Sequence, residues 1–249
     1  MGLFDLFKKK SPLEKHGERV ANKRAQAPDR WESIQALGKL ATTEPAGGEP
    51  DEREAAIAAL VERFTFYVDP SITDGEEKDE AFRWICEAGE ISVKPVRAAA
   101  RRHESLSWPL RMLEHLLPPE RLIEEMIGIL DRMDTEYERD PQRKLQLLSS
   151  LEERRSPRIA EAVAPFFMDV NEEARFHAVG AALAQENAEE VLPPLLEALA
   201  EEESLRVMGR ALDTMAEHGW SLGAAKGDIE LPEGYTTDKK GVPRKKKRK

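Results

Sequence analysis

Cysteine is almost missing from this chain. One residue in 249, Cys86, excludes an intramolecular disulfide and leaves no thiol set for a metal. It sits in "FRWICEAG", among apolar neighbours, where burial disfavours the thiolate, so it reads as a structural thiol. Val/Ile/aromatic alternation is equally scarce, which excludes a sheet-based fold. No apolar run approaches the ~20 residues that cross a bilayer. The start, "MGLFDLFKKK", lacks the long apolar core of a secretion signal, and Leu6 stands where a myristoylation pattern needs Ser or Thr. A cytoplasmic location is expected, with peripheral contact at a membrane as the variation the first ten residues suggest.

Chemistry-bearing patterns are missing too. The five histidines (His16, His103, His115, His177 and His218) form no His-Glu-x-x-His pair. The acidic stretch Asp131 to Asp140 lacks the glycine a calcium loop needs at its sixth position. "GAAKGD" near residue 223 lacks the Gly-Lys-Ser/Thr ending of a phosphate loop. No nucleophile–base pattern stands out. The expectation is a protein with no catalytic residue, no metal and no cofactor.

What the chain has in abundance is charge, unevenly placed. Residues 1–10 hold three lysines against Asp5, and residues 239–249 hold eight basic residues and no acid. With those ten net positive charges set aside, residues 11–238 stand at −20 against −10 for the whole chain. A body that acidic repels phosphate and anionic lipid, so any attraction to polyanions belongs to the ends.

Ala, Leu, Glu and Arg dominate the body in blocks of helical period. Ile159, Val163, Phe166 and Phe167 form one helix stripe; Val191, Leu195, Ala198 and Leu199 form another, with Ile159, Val163 and Phe167 offset from their counterparts by 32 residues. A second feature keeps step with the first. Capping or acidic residues are followed four positions later by a basic one: Asp79 with Arg83, Ser107 with Arg111, Asp140 with Lys144, Asn171 with Arg175, and Glu202 with Arg206. The first members read as helix N-caps, with Ser204 able to replace Glu202, and the ladder reads as structural, joining acidic turns of adjoining repeats. An isolated i,i+4 pair contributes only about 0.2–0.5 kcal/mol, so the regular recurrence carries the information. Helices are expected near 12–26, 28–41, 51–67, 76–88, 92–103, 107–117, 119–133, 140–153, 156–168, 171–186, 188–202 and 204–218. Pro95, Pro165, Pro193 and Pro194 fall inside that pattern, and Pro95 and Pro194 are expected to bend one type of helix.

The stretches "NEEARFHAVGAALAQ" and "DRWESIQALGKLA" resemble the second helices of short, Ala-rich bacterial HEAT repeats. The resemblance covers roughly residues 28–218 and is strongest from 140 onward. It implies an all-α, armadillo-like, right-handed α-solenoid of about five to six helix pairs, whose second helices line a concave wall for a protein partner. Deoxyhypusine hydroxylase is similar in architecture but needs several His-Glu pairs, and here there is one, His103-Glu104.

Three segments follow. Residues 1–10 form an amphipathic N-terminal segment, with Leu3, Phe4, Leu6, Phe7, Lys8, Lys9 and Lys10 as candidate membrane contacts, although packing on the solenoid is the favoured reading. Residues 11–218 form the HEAT-like repeat domain. Residues 219–249 form a linker and basic tail, Gly- and Lys-rich and expected to be disordered. There Lys239, Lys240, Arg244, Lys245, Lys246, Lys247, Arg248 and Lys249 are candidate polyanion contacts, salt-sensitive and without sequence choice. The leading functional expectation is a non-enzymatic scaffold that binds another protein. The alternatives are a nucleic-acid accessory factor acting through the tail and a repeat-based enzyme or lyase-like, cofactor-handling protein.

Overall fold

The computed structural model describes residues 10–46 and 51–246. Leu3, Phe4, Leu6, Phe7, Lys8, Lys9, Lys247, Arg248 and Lys249 lie outside the described residues. The chain divides into two compact units, Met1–Pro119 and Glu120–Lys249. The protein is all-α apart from one short hairpin, with twelve α-helices among the described residues.

The first unit contains α1 (Pro12–Val20), α2 (Ala27–Thr42), α3 (Arg53–Val61), α4 (Ser71–Glu87), α5 (Val93–Arg102) and α6 (Ser107–Leu116). Within it, α1, α3 and α5 pack on one another as one layer, and α2, α4 and α6 as a second. The second unit holds α7 (Pro119–Leu130), α8 (Gln142–Glu152), α9 (Pro157–Val163), α10 (Glu172–Leu183), α11 (Leu192–Glu201) and α12 (Leu205–His218). There α10 lies between α8 and α12 in one layer, while α11 packs on the 3-10 turn that extends α9 in the other. We call α1, α3, α5, α7, α9 and α11 first helices and their successors second helices.

Local chemistry accounts for the boundaries. Ser11 and Glu14 close a reciprocal capping box at α1 with Pro12 in its first turn. Asn171 accepts hydrogen bonds from the Glu173 and Ala174 amides, Ser156 caps α9, and Ser204 caps α12 by accepting from Val207 N. Gly219 ends α12 in the left-handed region, at φ 74°, where a side chain would be strained. Three expected caps are corrected: α4 begins at Ser71, so Asp79 lies inside the helix, Leu106 and not Ser107 stands at the cap of α6, and Pro141 and not Asp140 stands at the cap of α8. The expected proline bends take another form. Pro95 and Pro194 each follow a 3-10 segment, Gly89–Ser92 and Ala188–Val191, and sit in the first turn of the α-helix that succeeds it. Pro165 falls in the 3-10 segment Ala164–Met168 that ends α9. A proline cannot donate to the preceding turn, so the regular helix restarts around it instead of bending through it.

Apolar side chains between the layers form the cores. Ile34, Leu37, Ile57, Leu60, Ile85 and Leu113 are buried in the first unit, and Leu147, Leu151, Val163, Leu195, Leu212 and Met215 in the second. Small residues let second helices approach closely. A methyl group on Gly38 of α2 would overlap the Trp84 indole from α4, and one on Gly180 of α10 would overlap the Arg210 guanidinium from α12.

The segment after Trp220 differs from expectation. Tyr235–Thr237 (β1) and Pro243–Lys245 (β2) form an antiparallel hairpin with Thr236 opposite Arg244, and β2 packs on α12. Asp238 holds the turn by accepting from the Lys240 and Val242 amides, and Gly241 supplies the left-handed residue at φ 82°. Val242 of its turn is buried, as are Leu222, whose amide donates to the Gly241 carbonyl, and Ile229. The hairpin therefore covers α12, because its β-branched residues and compact turn provide the local order that composition conceals.

Candidate functional site

Exposed helix surface and inter-helical turns carry the candidate interaction residues, and buried side chains hold them in place. In the first unit a buried charge network joins α2, α4 and the end of α3. Arg30 makes a two-pronged contact to Glu77 at 2.9 and 3.0 Å, and Arg63 reaches Glu77 at 2.7 Å and Asp74 at 2.8 Å. Asp74 also accepts from Val68 N at 3.0 Å and from Lys78 at 2.7 Å. Burial opposes ionisation of Asp74, yet the Lys78 and Arg63 bonds outweigh it and hold its carboxyl below the usual range. Arg63 is fully buried, with its guanidinium 4.7 Å from the Phe66 ring centre. In sequence a buried charge has the same signature as a solvated one, so this network carries no signal there.

The ladder residues meet different partners from those four positions away. Arg83 pairs with Glu80 and Glu87 at 2.6 Å each, on the α4 surface, and not with Asp79. Ser107 opens α6, and Arg111 stacks on Phe82 and Trp108, at 4.8 and 4.9 Å from the ring centres. In the second unit Asp140 accepts from Gln142 N, while Lys144, 1% exposed, reaches forward to Asp169 at 2.7 Å. Lys144 also binds the Asp134 carbonyl at 2.9 Å and lies 3.5 Å from Glu138. Arg175 grips Glu202 through two bonds of 2.7 and 2.9 Å and binds the Asp169 carbonyl. Burial works against Glu202, but Arg175 and the Ser204 amide hold its carboxyl low. Arg206 turns back to Glu172 at 3.3 Å. Lys144 and Arg175 join the acidic turn of the adjoining repeat, as the ladder reading expected, and Arg206 reaches back to the preceding one, whereas Arg83 stays on its own helix.

A second set of contacts runs across α8, α10 and α12. Glu152 accepts from Arg210 and pairs with His177 Nδ1 at 2.9 Å, and Arg210 binds the Phe176 carbonyl. Burial raises the Glu152 carboxyl, and the Arg210 and His177 bonds more than reverse that. Two guanidinium groups stack on the Phe176 ring, Arg206 at 3.8 Å and Arg210 at 4.1 Å from its centre. One aromatic ring and two arginines thus stand on a three-helix surface whose geometry is fixed.

Titratable groups elsewhere are dispersed. His16 contacts Ser33, His103 lies 3.9 Å from Glu62, His115 packs edge-on to Phe82, and His218 stacks on Trp220. Among the described residues no group of three or more His, Cys, Asp or Glu side chains is placed to hold a metal. Cys86 is half-buried, and burial pushes its thiol up to about 11, with Arg111 opposing. No described helix is long and apolar enough to cross a membrane.

The basic residues near the C-terminus divide into engaged and projecting ones. Lys245 pairs with Asp213 at 2.7 Å, and Arg244 binds the Ala216 carbonyl and Asp238. Burial and the Asp213 contact push the Tyr235 hydroxyl up to about 12. Lys239, Lys240 and Lys246 project into solvent, and Lys10 pairs with Glu18 at 2.5 Å.

Fold and surface together define an all-α protein of layered helix pairs with polar ties between successive pairs. Comparison of the chain with protein-family models, curated proteins and solved structures finds no match.

Proposed function

We propose that the chain is a non-enzymatic interaction scaffold in which each unit is a right-handed, HEAT-like solenoid segment. Its second helices form the wall on which a protein partner docks. The cytoplasmic setting belongs to the same proposal. The observation that carries it is the α8–α10–α12 surface, where Arg206 and Arg210 both stack on Phe176 and Glu152 fixes Arg210 and His177. Aromatic and arginine side chains dominate binding energy at protein interfaces, and a rigid setting lowers the entropy lost on docking.

The test is affinity capture from the native cell with the full chain and with a Phe176→Ala/Arg206→Glu variant, after confirming equal helix content. Partners recovered by the parent and lost by the variant support the reading. The same partners recovered equally by both would remove this surface from the account.

A further inference from the structure

The large apolar side chains left exposed among the described residues of the second unit are Tyr137, Met168, Val170 and Leu205, at 82, 53, 56 and 72%. All four lie in, or immediately after, the turns that join first to second helices: Tyr137 between α7 and α8, Met168 and Val170 between α9 and α10, and Leu205 at the first position of α12. Solvent-facing turns favour polar residues, so this placement sets one edge of the unit apart.

The three turns are welded into a strip. Val170 N donates to the Thr135 carbonyl at 3.0 Å, and Lys144 joins Asp134, Glu138 and Asp169. Arg175 joins the second turn to Glu202, while Glu172 binds Ser204 and Arg206 of the third. A cleft in this strip is lined by Phe167, Met168, Ala198, Glu201, Glu202 and Glu203, together with the Asp169–Arg175 contact. Met168 gives it an exposed apolar side chain over the buried Phe167 and Ala198, and its rim carries the exposed Glu201 and Glu203.

We propose that this edge is a docking strip for a short partner-protein segment that interleaves apolar residues with lysine or arginine. The inference rests on the scaffold reading and gives it a second surface and a partner chemistry. Charge complementarity selects the occupant. In each turn acidic residues outnumber basic ones (131–141, 168–173 and 201–206), and Arg175 already neutralises Glu202, leaving Glu201 and Glu203 to meet an incoming cation. A long basic side chain lays its alkyl stem on Met168 and Ala198 with its head at that rim, and neighbouring apolar residues cover Val170, Leu205 and Tyr137. Anionic lipid, nucleic acid and phosphopeptides are repelled by the same carboxylates.

The test uses the full chain and three fluorescent octapeptides: alternating leucine and lysine, alternating serine and lysine, and alternating leucine and glutamate. The leucine–lysine peptide is expected to bind saturably, at least tenfold more tightly than either of the others. Val170→Ser/Leu205→Ser and Glu201→Lys/Glu203→Lys should each weaken it about tenfold or more. Hydrogen-exchange protection should appear at 134–140, 168–173 and 201–206. Equal binding of the serine–lysine peptide reduces the effect to charge alone and overturns the proposal, as does the absence of saturable binding. Protection confined to Phe176, Arg206 and Arg210 overturns it while leaving the scaffold reading intact. Sedimentation of the parent and the Val170→Ser/Leu205→Ser variant covers the remaining occupant: self-association lost in the variant would assign the edge to a second copy.

Discussion

Lys144→Met isolates the tie between successive helix pairs. The ammonium group is 1% exposed, donates to Asp169 at 2.7 Å and to the Asp134 carbonyl at 2.9 Å, and faces an Asp169 side chain that is itself fully buried. Methionine fills the stem but leaves that carboxylate without its cation. Removing one partner of a buried pair costs about 3–5 kcal/mol, because the remaining charge has lost both water and its counter-ion. For a chain of this size that corresponds to a fall in Tm of roughly 6–20 °C. Pairing the change with Asp169→Asn removes the stranded charge, so the double variant should recover a large part of the loss. Glu124→Gln supplies the contrast: Arg158 and Glu124 are 59 and 60% exposed at 3.2 Å, and such a pair contributes at most about 1 kcal/mol. Urea unfolding followed by circular dichroism measures these and the Asp169→Asn single variant, five proteins with the parent. If Lys144→Met cost no more than Glu124→Gln, or if the double variant were as unstable as the sum of its parts, the buried tie would not do what its geometry implies.

Three further outcomes follow from the same structure. Gly38→Ala should destabilise by about 1–3 kcal/mol because the added methyl meets the Trp84 indole, whereas Gly128→Ala in α7 meets nothing and should stabilise by about 0.5–1 kcal/mol; equal thermal shifts would refute the close approach. Glu202 titrates below its unfolded value, so its contribution is present above about pH 4.3 and is lost as pH falls through the folded value. Glu202→Gln should therefore flatten the acid limb of stability below about pH 4.3, and an unchanged slope would contradict the assignment. Tyr235→Phe removes the 2.7 Å bond to Asp213 and should speed tryptic cleavage after Lys239 and Lys240 severalfold; parent and variant cut at the same rate would mean the hairpin is not anchored there.

Helical periodicity was legible because each helix buries a stripe, and the stripes of α9 and α11 could be read directly from Ile159 to Phe167 and from Val191 to Leu199. Boundaries failed where backbone chemistry and period disagree, as at Ser71, where α4 starts before the apolar pattern does. The ladder was legible at Lys144 and Arg175 as a tie to the acidic turn of the adjoining repeat, but periodicity does not single out Asp169 and Glu202, 25 and 27 residues onward, as the acids that meet them. The buried Arg30–Glu77–Arg63–Asp74 network had no sequence signal, since a charge spent inside reads like one in solvent. The hairpin did have one: "YTTDKKGVP" places Thr236 and Thr237 before a turn ended by Gly241, and overall composition outweighed it. The exposed apolar edge was hidden because Tyr137, Val170 and Leu205 are ordinary residues until burial separates them from the core.

Native-state hydrogen exchange of the second unit tests the central claim, that its stability resides in contacts between neighbouring helix pairs. With α10 flanked by α8 on one side and α12 on the other, the account predicts slowest exchange at Ala178, Val179, Ala181 and Ala182, with faster exchange toward α12 and the hairpin. A single uniform opening free energy across α8, α10 and α12 would contradict it.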